Sequence, residues 1–378
     1  MQFLNRFRQP SPAQPTLTLA QRVVDKIVAN ALIYQTETGE ALVGLALPAA
    51  GRPEPDLYVL DTIAPDETAI RQEVYFEQGD AYQGAVFNWL HDNWKRMRAS
   101  MRVISADNAA PKWDAPLLHL GDWHKHPGTL VEPSWGDTNT ARRRLRDQEV
   151  DNPQILAILA TVWDRAWAEG SAPDVPNLAA EGTSTGEDFS DAPDEFRPEG
   201  GTAQPLKIPV DDSTLVRIDC WYMSRLTRRF VRVTPVVVPN NQLPKLPPIG
   251  WHLADPDRLA AEVAALKAAG YSTTIEEFDA DRVPPKEVCI MLARQTSRNV
   301  LILITEADYP HNMPQIRYTP LTAMRGMPES ANVFDWVWNA SQPLPQAMYP
   351  IWSWTPQRHL IELAQEVEAR LDEGKVTP

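Results

Sequence analysis

Apolar residues recur along the chain at helix and strand spacings, in two stretches separated by a proline-rich break. Leu19, Val23 and Ile27 repeat every fourth residue, the stripe of an amphipathic helix. Thr18 and Gln21 at its start fit a capping box with Thr18 as N-cap. Residues 42–47 form an apolar run of strand length, and residues 57–63 look like its partner, with a Gly- and Pro-containing turn between. Residues 78–101 predict a second helix with Phe87, Leu90 and Trp94 on one face. Strand character follows at 117–123, 155–163, 215–222 and 230–238. Residues 239–250 read as a semi-rigid linker, with four prolines between 239 and 248. After it the pattern restarts. Residues 256–269 predict a helix with Pro256 near its start, Leu259, Val263 and Leu266 on one face, and Gly270 past its end. Residues 288–293 and 300–305 look like paired strands, and 357–371 like a long amphipathic helix carrying Leu360, Leu363, Val367 and Leu371.

The expected fold class is therefore α/β (α+β) in two domains, residues 17–238 and 251–378. Of the 378 residues, 43% are apolar, enough for a core in each. Residues 1–16 read as a flexible N-terminal arm, and residues 168–205 as an acidic disordered insertion. Between 169 and 200 there are nine acids and one arginine, too little apolar surface to offset chain entropy. The longest apolar runs, at 155–160 and 300–304, are far short of the roughly 20 residues a bilayer requires. Residues 1–15 lack the apolar stretch of a secretory signal. Fifty acids against 36 bases give a net charge of −14, which disfavours nucleic acid as a partner. Two cysteines, Cys220 and Cys289, build neither a disulfide framework nor a four-thiolate zinc site. A cytoplasmic protein with no membrane partner is expected.

The chemistry-bearing stretch is Gly121-Asp-Trp-His124-Lys-His126-Pro127, followed by Ser134-Trp-Gly-Asp137. Side chains alternate along a strand, so histidines two apart in an extended segment point the same way and can grip one ion from one side. Pro127 ends the strand. Ser134 fits a helix N-cap, and Asp137 then sits in the first turn of a helix through Ala141 and Leu145, where its carboxylate can return to the two imidazoles. Two His and one Asp form a three-ligand zinc set with a fourth position open, the pattern of a catalytic site. A His-x-His pair alone is a weak signal, because most histidines are surface or satisfied core residues. The coincidence of Pro127, Ser134 and Asp137 sharpens it.

The run His-x-His-Pro-x6-Ser-x-x-Asp, matched without a gap from His124 to Asp137, resembles the signature of the JAMM (MPN+, JAB) metallopeptidases. The preceding Gly-Asp-Trp resembles their bacterial JAB branch. Family members carry a glutamate on a strand that begins Glu-Thr-x-Gly-x-Leu-x-Gly. Glu37-Thr-Gly-Glu-Ala-Leu-Val-Gly44 is similar, with Glu40 where glycine is usual. Glu40 is a rival for the role, while Glu37 keeps the Glu-Thr pair and the spacing to Gly44. Taken alone, Glu37 would be a solvated surface acid. Asp219-Cys-Trp-Tyr-Met and the run from Arg229 to Val238 resemble the closing strands of bacterial JAB domains, so the resemblance covers residues 17–238. It implies a curved, mostly antiparallel sheet flanked by helices, and Zn2+ held by His124, His126 and Asp137. It also implies Glu37 as the proton-transferring base and acid, and Ser134 as a donor to the oxyanion. His119 is assigned to strand or loop rather than to the metal, His91 to a helix surface, and Cys220 to buried packing.

The second stretch carries another resemblance. A leading helix containing Arg258-Leu-Ala-Ala-Glu-Val is followed by strands, then Tyr309-Pro310-His-Asn-Met-Pro314, then Trp354-Thr-Pro356 before the last helix. This looks like ubiquitin-conjugating enzymes and the related RWD domains. Residues 318–353, where the thioester cysteine would lie, contain none, and Cys289 falls earlier on an expected strand. The resemblance thus implies a binding or positioning domain. Trp336, Trp338, Tyr349 and Trp352 are candidates for core or contact surface, and in a domain of this size most belong to the core.

The two resemblances together imply a zinc isopeptidase or peptidase that removes or processes a ubiquitin-like modifier. Its partners would be the modifier, its conjugates, and activating or conjugating enzymes of the same bacterial operon, in a setting such as antiphage defence. Two other readings stay open: a non-catalytic scaffold of the MPN type, and a JAB hydrolase acting on a small molecule.

Overall fold

The computed structural model describes residues 14–72, 76–104, 112–147, 153–166 and 197–373. The expected arm at 1–16 falls outside it as far as residue 13, and the acidic insertion as far as residue 196. The molecule is mixed α and β. Among the described residues no helix is long and apolar enough to cross a membrane. The chain divides into two compact units, residues 1–91 with 105–246, and residues 92–104 with 247–378.

The first unit is built on a nine-stranded sheet. Its elements run β1 (Leu17–Ala20), α1 (Gln21–Ile33), β2 (Gly39–Leu47), β3 (Asp56–Ile63), β4 (Ile70–Arg71), β5 (Phe76–Glu77) and α2 (Asp80–Ile104). They continue as β6 (Leu118–Lys125), α3 (Trp135–Arg146), β7 (Gln154–Asp164), β8 (Leu206–Pro209), β9 (Thr214–Ser224), β10 (Val231–Val233) and β11 (Pro235–Val238). The last part of α2 groups with the second unit. The sheet order is β10-β9-β7-β6-β2-β3-β1-β11, with β8 also on β9. The β2–β3, β2–β6, β7–β9 and β9–β10 pairs are antiparallel, whereas β6–β7, β1–β3 and β1–β11 are parallel.

The run 230–238, expected as one strand, is two. Thr234 alone separates β10 at one edge of the sheet from β11 at the other. One residue spans at most about 3.6 Å, so the two edges must meet, and the sheet curls back on itself.

The capping box expected at Thr18 does not form. Thr18 lies inside β1, paired with Tyr58 and Val236. Ala20 is the N-cap of α1 and offers no side-chain acceptor. The orphan amide of Arg22 is met instead by the Asn240 side-chain oxygen at 2.9 Å. The face of α1 carrying Val23, Val24, Ile27 and Ala31 is buried, each larger side chain contributing about 1.5–3 kcal/mol relative to exposure. Helix α3 packs against the sheet through Ala141 and Leu145, in one cluster with Ile155, Ala157, Leu159, Trp221, Met223 and Phe230. The C-terminal end of the expected disordered insertion is instead pinned to the sheet. Glu199 bridges Val231, and its backbone bonds to Phe230 and Arg232.

The second unit contains α4 (Trp251–Ala254), α5 (Pro256–Ala268), β12 (Ser272–Phe278), β13 (Glu287–Ala293) and β14 (Asn299–Thr305). These are followed by β15 (Gln315–Pro320), α6 (Val333–Ala340), β16 (Gln342–Pro343) and α7 (Leu360–Asp372). Strands β12 to β16 form an antiparallel meander in chain order. Period-two alternation splits its core. Val288, Ile290, Leu292, Leu301 and Leu303 face one way, with Leu266 of α5 and Leu360, Leu363 and Val367 of α7. Cys289, Met291, Val300, Ile302 and Ile304 face the other way, with Phe334 and Val337 of α6. Trp338, Tyr349 and Trp352 pack half-buried against these clusters. The final helix starts at Leu360, three residues after the apolar stripe suggested.

Glu262, a charged residue on the apolar face of α5, is fully buried. It accepts from Arg258 Nε at 2.7 Å, Tyr309 OH at 2.5 Å and the backbone amide of Leu360 at 2.8 Å. The leading helix, the Tyr309 corner and the start of the last helix are thus tied to one carboxylate.

Candidate metal centre

Strand β6 ends in the His-x-His segment, and the sheet sets its geometry. His124 pairs with Gly39 of β2 on one side and with Leu159 of β7 on the other. The approach at Gly39 is close: a Cβ there would stand 2.2 Å from the Trp123 carbonyl oxygen and 2.9 Å from the His124 Cβ. Gly121 has φ +138°, and a Cβ on it would lie 1.9 Å from the Leu156 carbonyl oxygen, so only glycine fits at the start of the motif. His126 follows beyond the strand end, its backbone amide bonded to the Ala160 carbonyl at 2.9 Å.

Ser134 is the N-cap of α3, as the sequence suggested. Its Oγ accepts from the Asp137 amide at 3.1 Å, and the Asp137 carboxylate accepts from the Ser134 amide at 2.7 Å. This reciprocal box fixes the carboxylate at the mouth of the helix. The Nε2 atoms of His124 and His126 stand 2.9 Å apart, and each is 3.7 Å from an Asp137 oxygen. Among the described residues these three form the one group of His, Cys, Asp or Glu placed to share an ion. Atoms held about 2.0–2.1 Å from one zinc ion at tetrahedral angles lie about 3.3 Å apart. The observed separations straddle that value, so the donor set fits such an ion.

The two imidazoles differ in their surroundings. His126 Nδ1 faces the Leu130 carbonyl at 3.1 Å. A carbonyl only accepts, so Nδ1 carries the proton and Nε2 presents a lone pair. Burial, aided by the charge of His124, lowers the His126 pKa and keeps it neutral against the pull of Asp137 and Leu130. Burial also opposes a charge on His124, but Asp137 and Glu37 outweigh it, and its pKa stands above the ordinary value. Asp137 is likewise buried, and the two histidines hold its pKa well below the usual carboxylate range.

Glu37 precedes β2, with its amide bonded to the Gln72 carbonyl at 2.9 Å. Burial raises its pKa to about 7, with His124 opposing and Asp137 adding to the rise. Glu37 therefore lies within the field of the cluster without being one of its close members. Its rival Glu40 follows Gly39, the partner of His124, and so points to the opposite face of the sheet. There it is buried, and its Oε1 accepts from Asn30 of α1 at 2.7 Å.

His119 lies on β6 and bonds Asp122 at 3.3 Å rather than the cluster. Burial would raise the pKa of Asp122, but His119, Arg144 and Gln78 hold it well below the usual range. His91 is half-buried on α2 and stacks on Phe87. Cys220 and Cys289 are buried, and burial pushes both thiols far up in pKa. The Leu130 carbonyl, which orients His126, had no signal in the sequence because any residue supplies a backbone carbonyl. No protein-family model matches the chain, and no curated protein is detectably similar to it.

Proposed function

We propose that the chain is a zinc metallopeptidase of the JAMM (MPN+, JAB) type, acting as an isopeptidase or processing peptidase on a ubiquitin-like modifier. The observation that carries this reading is the convergence of His124, His126 and Asp137, with a carboxyl group poised near neutrality at Glu37 beside them. His124 and His126 would hold the ion through Nε2 and Asp137 through its carboxylate. When bound, the ion supplies a Lewis acid that acidifies water and polarises the acyl carbonyl.

The remaining work belongs to the chain. With a pKa of about 7, Glu37 is able both to take a proton from water and to return it to the leaving amine. The Ser134 oxygen already accepts from the Asp137 amide, which leaves its hydroxyl hydrogen for the substrate oxygen as charge develops there. The capping box holds that hydroxyl beside the Asp137 carboxylate in advance.

The second unit has the order leading helix, antiparallel strands, Tyr309-Pro310 corner and closing helix. This supports a fold of the ubiquitin-conjugating-enzyme or RWD type, and the burial of Cys289 in the sheet supports a docking rather than a thioester role. The test is zinc content by elemental analysis, followed by incubation with ubiquitin-like proteins encoded beside the chain, fused through their C-terminal residue to a reporter. Near one zinc per chain and cleavage at that junction are expected. Absence of bound zinc after reconstitution would overturn the reading.

A further inference from the structure

The loop from Pro127 to Ser134 joins the second histidine to the helix that carries the third candidate ligand, yet it has little core of its own. Leu130 is 47% exposed and Glu132 is exposed. The tight turn from the Pro127 carbonyl to the Leu130 amide is long, at 3.4 Å. Two successive carbonyls of this loop face opposite tasks. That of Leu130 receives His126 Nδ1, and that of Val131 receives the indole N–H of Trp221 at 2.9 Å.

Trp221 is a fixed post. It is fully buried on β9, paired with Ala157 on one side and Arg232 on the other. It shares a buried cluster with Ala141 and Leu145 of α3. The Arg232 guanidinium sits over its ring at 5.3 Å. The exposed Leu130 side chain does little to hold the carbonyl that orients His126, and the bond one residue further on ties that stretch of the loop to a fixed, buried ring.

We propose that Trp221 is a positioning residue of the metal centre: its N–H anchors Val131, so that the Leu130 carbonyl holds His126 with Nδ1 protonated and Nε2 turned to the ion. The inference rests on reading the cluster as a metal centre. The Leu130 carbonyl is the group bonded to His126, and loss of such a partner typically changes metal affinity by about 10–100-fold. Trp221 acts one step further out, through Val131, so that range is the upper bound for its effect.

The test uses the full chain and two matched substitutions. Trp221→Phe removes the N–H that binds the loop. Trp163→Phe removes a comparable buried indole bond, to Thr161 Oγ1 at 2.8 Å, that does not touch the loop. Zinc affinity is measured by chelator competition, and the protonated nitrogen of His126 by 15N NMR of the metal-free protein. Trp221→Phe is expected to weaken zinc severalfold, up to the roughly 10–100-fold of a direct partner's loss, and to mix the His126 tautomers. Trp163→Phe is expected to leave both at wild-type values. The benzothienyl analogue of tryptophan at position 221, which keeps the ring shape but has no N–H, repeats the test without opening a cavity. Unchanged affinity and tautomer in the 221 variants, or equal losses in Trp163→Phe, would overturn the proposal. If the wild type binds no zinc, the metallopeptidase reading fails by itself, and the tautomer measurement alone decides on the anchor.

Discussion

Asp137 holds two positions at once, and a pair of substitutions separates them. Its carboxylate stands 3.7 Å from each histidine Nε2 and also accepts the Ser134 amide at 2.7 Å. Asp137→Asn keeps an oxygen for that amide but loses the charge. Asp137→Ala loses both. A group one bond behind a metal is worth about 10–100-fold in affinity, so a ligand itself should cost more than about 100-fold, or roughly 2.7 kcal/mol. Both variants should therefore purify with far less than one zinc per chain by elemental analysis. Their metal-free stabilities should differ. Each loses the charge at the helix start, about 0.3–1 kcal/mol, and Ala loses a further 0.5–1 kcal/mol or so with the hydrogen bond. Urea denaturation of chelator-treated protein reads this order. The pH dependence has a definite sign. The folded-state pKa of Asp137 is depressed, so its contribution is complete above the ordinary carboxylate range and disappears as pH falls through the lower folded value. The advantage of the metal-free wild type over Asp137→Asn should shrink with acidification. Full zinc occupancy and unchanged affinity in Asp137→Asn would refute the assignment of this carboxylate to the ion.

Glu37→Gln should retain zinc and lose turnover. In the wild type kcat/KM should rise with pH as Glu37 ionises, with its inflection below the metal-free value of about 7 because a bound cation favours the carboxylate; wild-type turnover in Glu37→Gln would remove Glu37 from the reaction. Gly39→Ala drives a Cβ into the Trp123 carbonyl and should cost about 1–3 kcal/mol in chemical denaturation, with zinc affinity falling as β2 and β6 separate. Gly200→Ala, with open space around the added Cβ, should stay within about 0.5 kcal/mol. Glu262→Ala leaves the Leu360 amide and Arg258 Nε without their acceptor, while Arg258 keeps the Pro356 and Arg358 carbonyls, and should destabilise the protein by about 1–3 kcal/mol in the same assay.

The candidate ligands were legible in the sequence because local rules place them. Strand alternation aims His124 and His126 together, and the reciprocal box at Ser134 returns Asp137 towards them. The choice of Glu37 over Glu40 needed the register, since only the pairing of Gly39 with His124 says which face each glutamate takes. What the sequence hid was non-local. Thr18 carries a sound capping signal, but two parallel partners from elsewhere in the chain claim it for a strand, and the cap of α1 comes from Asn240. In the run 230–238 the pair Thr234-Pro235 marks a break, but nothing local says that the chain changes to the opposite edge of the sheet there. Glu262 falls on the apolar stripe of its helix, between Leu259 and Leu266, and the groups that satisfy it there, a tyrosine and a helix start, come from later segments that the local pattern does not reveal.

The meeting of the two sheet edges also orders events during synthesis. The ion-binding segment is local, all of it contained between residues 124 and 137, whereas the contact that caps α1 joins residues 218 positions apart. Strand β1 leaves the ribosome first among the described strands and waits with one edge uncovered until residues 235–238 arrive to pair with it. The three candidate ligands are thus all synthesised before the barrel-like sheet can close. Long-range closure of this kind is slow, so the pairing of β11 with β1 is expected to be a late step in folding.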